Sequence, residues 1–417
     1  PSDKHTADNS GRRACPHTTS RASRNSKTLI KLRVLLVARC PVLGTRVASL
    51  GRSASQQPVP ALERSRQGSK QLKKYAVALA ALTAVTAAPA QAEKISLRAT
   101  GLVSTHKFHT AIEKAFYASL AEKTGLDVTV NFNPLDVVGV NMKDTLRNVR
   151  SGAFDIVETT IGSAARDDAF LEGIDLIGVA TTIEDFRKAV DAYRPAFEKR
   201  VAEKFNAKVL TLWPYGPQVF YCKPEVKTLA DFKGLKVRSY TPSMSKLVQS
   251  LGATPVTLQF AEVYPALQRG VADCAITSPT SGNTGKWPEV TTHFVNMGIS
   301  WSANGHFMNL DKWNSLSPEA QAKLTEAFKT FEGQFWDLAK KNNGWAIACN
   351  TGGEGCENYT KYGMTLVTPT AEDKAKVTSA VEAEILPSWK ATCTKSYPAC
   401  AETWNASIGK ALGVAIK

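Results

Sequence analysis

Residues 229–273 constrain the fold of this chain more than any other stretch. They read LADFKGLKVRSYTPSMSKLVQSLGATPVTLQFAEVYPALQRGVAD. A short apolar strand pattern (Leu235, Val237) ends at Arg238, inside a loop rich in Ser, Thr and Pro. A segment of helical period follows, then a second short strand at 255–258, then a helix opening at Phe260. Strand, helix, strand, helix is the repeating unit of a sheet covered by helices. In such a fold, an arginine at the carboxyl end of a strand faces the crevice where ligands bind. Its planar fork of donors suits a carboxylate held by two parallel hydrogen bonds.

The same alternation runs through the rest of the chain. Strands are expected at 95–99, 128–132, 154–157 and 209–213, with a strand or loop at 173–179. Helices are expected at 105–124, from Asn141 to Val149, at 183–201, and from a Ser317 cap with Pro318 in its first turn toward Trp345. About 325 residues of this pattern suggest two domains.

Charge argues against nucleic acid. The formal charge is +15, but residues 1–92 carry 16 Lys and Arg against 3 acids, leaving a net of +2 for the remainder. A near-neutral body offers no footprint for a phosphate backbone. Residues 70–92 read as a signal peptide: Lys70, Lys73 and Lys74, a short apolar run, and Ala90-Gln91-Ala92 as the cleavage motif. The mature chain is expected to begin at Glu93, in the periplasm. Residues 1–69 are rich in Arg and Ser, and no methionine precedes Met142. They are read as a disordered, non-native or untranslated leader, with translation starting near Leu72. An organellar transit peptide is the competing reading.

Six cysteines follow the leader: Cys222, Cys274, Cys349, Cys356, Cys393 and Cys400. An even number in an exported chain suggests disulfides. Two pairs share a seven-residue spacing, 349/356 and 393/400, which leaves Cys222 and Cys274 either bonded to each other or as buried thiols. The cysteine and histidine spacings fit no zinc site. The chain has no G-x-S-x-G elbow, phosphate-binding loop or dinucleotide fingerprint. An enzyme, a cofactor and a metal site are therefore not expected.

The 229–273 block also resembles the solute-binding proteins of TRAP transporters, the DctP-like family. The matching residues are Asp231, Lys233-Gly234-Leu235-Lys236-Val237-Arg238, Leu251-Gly252-Ala253, Pro255-Val256, Phe260, Glu262-Val263-Tyr264, Ala266-Leu267-Gln268, Gly270-Val271 and Asp273. The resemblance implies a two-lobed α/β periplasmic solute-binding fold, with helix-covered, mostly parallel sheets, hinged lobes and a central ligand crevice. Lobe I would comprise 93–215 with part of 304–345, and lobe II 216–303 with part of 346–417. The function implied is capture of a small organic acid and its delivery to TRAP integral membrane subunits. A ligand-binding subunit of a sensor or of an ABC-type importer is the alternative.

Within the resemblance, Arg238 binds the ligand's carboxylate and Phe260 packs against the ligand. Many members carry a second arginine where this chain has Gln218, after Gly216. With one fixed cation fewer, a monocarboxylate is favoured and Gln218 donates a neutral hydrogen bond. Trp213, Tyr215, Tyr240, Trp287 and Trp301 cluster around these segments; an aromatic-lined pocket would suit an aromatic or branched acid, though core packing is the ordinary role of such residues. Asn141 and Thr160 match loosely the polar contacts of the first lobe. Thr105 and His106 are weaker candidates. Glu262, in the first turn of its helix, is read as structural.

Overall fold

The computed structural model describes residues 93–417, all within one compact unit. The expected leader, signal peptide and cleavage point lie outside the described residues. Eleven strands follow in chain order: β1 (Lys94–Gly101), β2 (Asp127–Pro134), β3 (Ile156–Thr160), β4 (Ala207–Pro217), β5 (Val219–Cys222), β6 (Lys236–Ser239), β7 (Thr254–Thr257), β8 (Cys274–Thr277), β9 (His293–Val295), β10 (Trp301–Asn309) and β11 (Thr365–Val367). They form two sheets, ordered β2-β1-β3-β10-β4 and β11-β9-β5-β8-β6-β7. Each is flanked by helices, giving a two-lobed α/β fold.

Both sheets are mixed. Five strand pairs are parallel and four antiparallel. Every antiparallel pair involves β5 or β10, the strands that follow a crossing from one sheet to the other. The chain passes from β4 to β5 through Gln218 alone and returns at β10. The two crossings are bonded to each other: Gln218 N donates to Ser300 O at 2.7 Å, and Ile299 N to Gln218 O at 2.9 Å.

The helix expected over 105–124 divides into Lys107–Ala118 and Leu120–Thr124. Ser119 sits at the break, its hydroxyl bonding back to Ala115 O at 2.9 Å and competing with the helical ladder. Residues 173–179 form no strand; Ala169–Ile174 is a 3₁₀ turn with Asp168 as cap. The helix Ile183–Phe205 is capped by Thr182 and ends at Asn206 with φ 47°. Pro318–Thr351 is one helix of 34 residues, capped by Ser317 and ended by Gly352 in the left-handed region. Its first half packs Phe328, Phe331 and Phe335 under the first sheet. Its last turn reaches the second lobe, where Asn350 bonds Asn283 at 3.0 Å and Tyr221 at 2.8 Å.

The six cysteines stand as three disulfides: Cys222–Cys274, Cys349–Cys356 and Cys393–Cys400. The first joins directly opposed residues of β5 and β8. The third closes the C-terminal helices, which anchor on the first half of the chain: Trp389 and Trp404 donate to Ala169 O and Gly173 O.

Candidate functional site

Within the block 229–273, Arg238 occupies the third position of β6, between Val256 of β7 and Ala275 of β8. Thr241 then caps the helix Pro242–Ser250, accepting from Met244 N, and Glu262 accepts from Gln259 N at the start of the helix Phe260–Gln268. These caps fix where the strands end and point their carboxyl ends at one cleft. Arg238 is 3% exposed. Its Nε donates to Leu258 O at 3.1 Å and its Nη1 to Ile276 O at 2.8 Å. Tyr240 and Trp287 flank it at 5.0 and 5.7 Å.

Among the described residues, no carboxylate lies within ion-pair distance of Arg238. Burial lowers its pKa to about 10, against the weaker opposing influence of Tyr240 and Glu262, so it is still a cation at neutral pH. A guanidinium has five N–H donors, and two backbone carbonyls satisfy only part of them. A buried charge without a counter-charge costs several kcal/mol.

A cavity of about 180 Å³ opens beside it, between the lobes. Of the nine expected ligand-binding residues, the structure brings seven to its wall: Arg238, Gln218, Phe260, Tyr215, Tyr240, Asn141 and Thr160. Gln218 is buried on the crossing strand. Its amide nitrogen donates to Gly216 O at 3.1 Å, and its oxygen accepts from the Tyr240 hydroxyl at 3.2 Å. That leaves one amide N–H over. Asn141 caps the turn Met142–Asp144, accepting from Lys143 N at 3.4 Å. Thr160 ends β3.

Two tryptophans do not reach the cavity, which corrects the sequence reading. Trp213 lies two residues deeper on β4 than Tyr215 and stacks on Phe335 at 4.0 Å, in the core under the long helix. Trp301 packs in the core on the opposite side of that sheet. Trp287 stands behind the wall: it stacks on Phe260 at 5.5 Å and supports both that ring and the guanidinium.

Other lining residues carried no sequence signal: Asp136, Met142, Ser163, Thr277, Ser281 and Ser302. Most are small polar residues on loops or at strand ends, where neither period nor motif marks them. His106, a weaker candidate, also lines the cavity. The exposed Asp136 carboxylate is held by the N–H of Ser104 at 2.7 Å and by its hydroxyl. Burial pushes the Asp136 pKa up, but the bonds from Ser104 outweigh it and hold the group below the usual carboxylate range.

With this geometry in view, comparison with known proteins is decisive. Residues 99–391 match the model of the family described as bacterial extracellular solute-binding protein, family 7 (DctP). The chain belongs to that family. The C4-dicarboxylate-binding periplasmic protein DctP of Rhodobacter capsulatus is 25% identical over 278 residues, 65% of this chain and 82% of that protein. An uncharacterized protein of Sinorhizobium fredii is 27% identical over 278 residues, but the chain spans only 49% of its length. Among solved structures, the Bordetella pertussis extracytoplasmic solute receptor DctP6, which binds pyroglutamic acid, matches with a TM-score of 0.65 at 24% identity, over 74% of this chain and 99% of that one. A TRAP periplasmic solute-binding protein of Desulfovibrio salexigens with bound orotic acid gives a TM-score of 0.67 at 17% identity, over 76% and 100%. At these identities the structures establish the fold. The family is one of extracytoplasmic solute-binding proteins, not of enzymes; its named relatives are periplasmic. Among the described residues, no helix is long and apolar enough to cross a membrane.

Proposed function

We propose that this chain is the periplasmic solute-binding subunit of a TRAP transporter, capturing a small organic monocarboxylate through Arg238 and delivering it to integral membrane subunits. The observation that carries the reading is a buried arginine on the wall of a cavity, with no carboxylate within ion-pair distance of it among the described residues. The ligand supplies the missing anion, and a two-point pair forms with the unused donors of the fork. Water exclusion on closing strengthens that pair. Lobe I (93–215 with part of 304–345) and lobe II (216–303 with part of 346–417) close on the ligand about the crossing strands.

A monocarboxylate is favoured for two reasons. Gln218 offers a neutral N–H where a second cation would be needed, and Asp136 adds a negative charge to the lining of the same cavity. Tyr215, Tyr240 and Phe260 give the remainder of the site flat apolar faces suited to a ring. Asn141 and Thr160 supply polar contacts from lobe I. The solved neighbours that bind pyroglutamic and orotic acids hold ligands of this kind.

A thermal-shift screen of the protein against monocarboxylates, dicarboxylates and sugar acids tests the proposal. A ligand at 100 times its Kd adds about 2.7 kcal/mol of stability. Monocarboxylate hits that vanish in Arg238→Ala support it. Equal stabilisation of the wild type and Arg238→Ala sinks it.

A further inference from the structure

His106 is 5% exposed, and both of its ring nitrogens are buried with no hydrogen-bond partner among the described residues. Buried polar groups in proteins are nearly always paired, so an imidazole with neither nitrogen satisfied calls for an explanation. The ring does not lack partners because it is loose. The backbone is held on both sides: His106 N donates to Val103 O at 2.9 Å, and Thr110 N donates to His106 O at 3.0 Å. The ring meets Phe260 edge-on at 4.9 Å and lies tilted against Tyr215 at 5.4 Å. One of these rings belongs to the first-sheet strand β4 and the other to the helix following β7 in the second sheet. His106 is thus fixed between the lobes, on the wall of the cavity that holds Arg238.

Its charge state follows from the same burial. Desolvation lowers the pKa to about 4, against a weaker raising influence from Asp136. At neutral pH the ring is uncharged and presents one N–H donor and one lone-pair acceptor. No cation is available there to receive a second carboxylate, and Asp136 repels one.

We infer that His106 is a specificity-determining residue, whose neutral imidazole selects acids carrying an uncharged donor–acceptor group away from the carboxylate, such as a lactam, an amide or a hydroxyl. This rests on the proposed function and narrows it: Arg238 reads the carboxylate, and His106 reads the rest of the ligand. A purely apolar acid leaves the ring nitrogens unpaired, and sites built around buried polar groups reject ligands that cannot pair them.

Calorimetric titration of the full chain with matched acids tests the inference. Pyroglutamate and cyclopentanecarboxylate share a five-membered ring, but only the former has a lactam; gluconate and hexanoate form a second, open-chain pair. The wild type is expected to prefer the polar member of a pair by about tenfold or more. His106→Leu should abolish the preference, weakening the polar member of each pair and strengthening the apolar one. His106→Gln, which keeps one donor and one acceptor, should restore part of it. A preference that survives unchanged in His106→Leu overturns the inference, as does a wild type that binds without preference. The failures are separable. Arg238→Ala that still binds either acid defeats the carboxylate assignment, whereas loss of discrimination is read from the ratio within each pair. A wild type that binds none of the four acids defeats both.

Discussion

Two regions bury charge, and they deal with it differently. Under the first sheet, ionisable and polar side chains face one another. His306 on β10 bonds Glu113 at 3.1 Å and Thr211 at 2.6 Å, and Asn304 donates to Glu158 at 2.7 Å. Burial, and then the neighbouring Glu113, push the Glu158 pKa well up, outweighing the bond from Asn304. A carboxyl group can escape burial by keeping a proton. Arg238 cannot: at neutral pH it remains a cation, and among the described residues its acceptors are the carbonyls of Leu258 and Ile276. The first region meets part of its burden with protein partners, although Glu113 Oε2, Glu158 Oε2 and Asn304 Oδ1 keep no partner among the described residues; in the second, on the proposed function, the ligand supplies the anion.

The sharpest way to break this contrast is Arg238→Ala. The protein should fold and lose carboxylate affinity by about hundredfold or more, as when one member of a buried charge pair is removed. Arg238→Lys should be intermediate, keeping charge but losing the fork. Titration calorimetry reads both, and near-native affinity in either would place the anion elsewhere. In the other region, Glu113→Ala should cost about 2–4 kcal/mol in urea unfolding, because it leaves the His306 ring unpaired and opens a cavity. Ligand affinity should stay unchanged. A large affinity loss there would show that the two regions are not independent.

His109 lies between them, stacked on Tyr215 at 4.6 Å, and burial, with a smaller contribution from His106, lowers its pKa to about 3. The unfolded ring takes up a proton below about pH 6.5, while the folded ring does not until about pH 3. Stability from this residue is therefore full above pH 6.5 and is lost as the pH falls toward the folded value. Between pH 7 and 5 the wild type should lose about 2 kcal/mol relative to His109→Phe. The raised carboxyls Glu158, Glu172 and Asp175 act in the opposite direction, but they are common to both proteins and cancel in the difference. Parallel melting curves across that range would show that the ring is protonated in the fold. The smallest effect is expected from Gln218→Ala, about 1 kcal/mol of binding for one neutral hydrogen bond. Unchanged monocarboxylate affinity would remove Gln218 from the contact set.

The parts of the fold that follow periodic rules were legible. Strands β1, β2 and β4 alternate or carry β-branched runs, the helix Pro318–Thr351 announces itself with Ser-Pro, and the 229–273 block carries dense matches at fixed spacing. β10 was not legible. Its sequence, WSANGHFMN, mixes glycine, asparagine and histidine, and all nine positions are buried. A strand covered on both faces shows no alternation, and here polar residues serve the internal network. In the site, strand-end residues such as Arg238 were readable because topology fixes where they point. Trp213 and Trp301 were misplaced because an aromatic near a motif says nothing about depth: two positions along β4 separate a cavity wall from a core stack.

The bonded pair of crossings at Gln218 and Ser300 has a mechanical meaning. Two antiparallel strands joined edge to edge make a ribbon, which bends readily across its face and resists shear along its length. The long helix, which spans about 51 Å at 1.5 Å per residue, ties the lobes at a third place and limits twist. Relative motion of the two sheets is therefore expected to reduce to little more than one angle, as in a door on a leaf hinge. Gln218 stands on that leaf and on the cavity wall at once, so whatever touches its amide also loads the hinge.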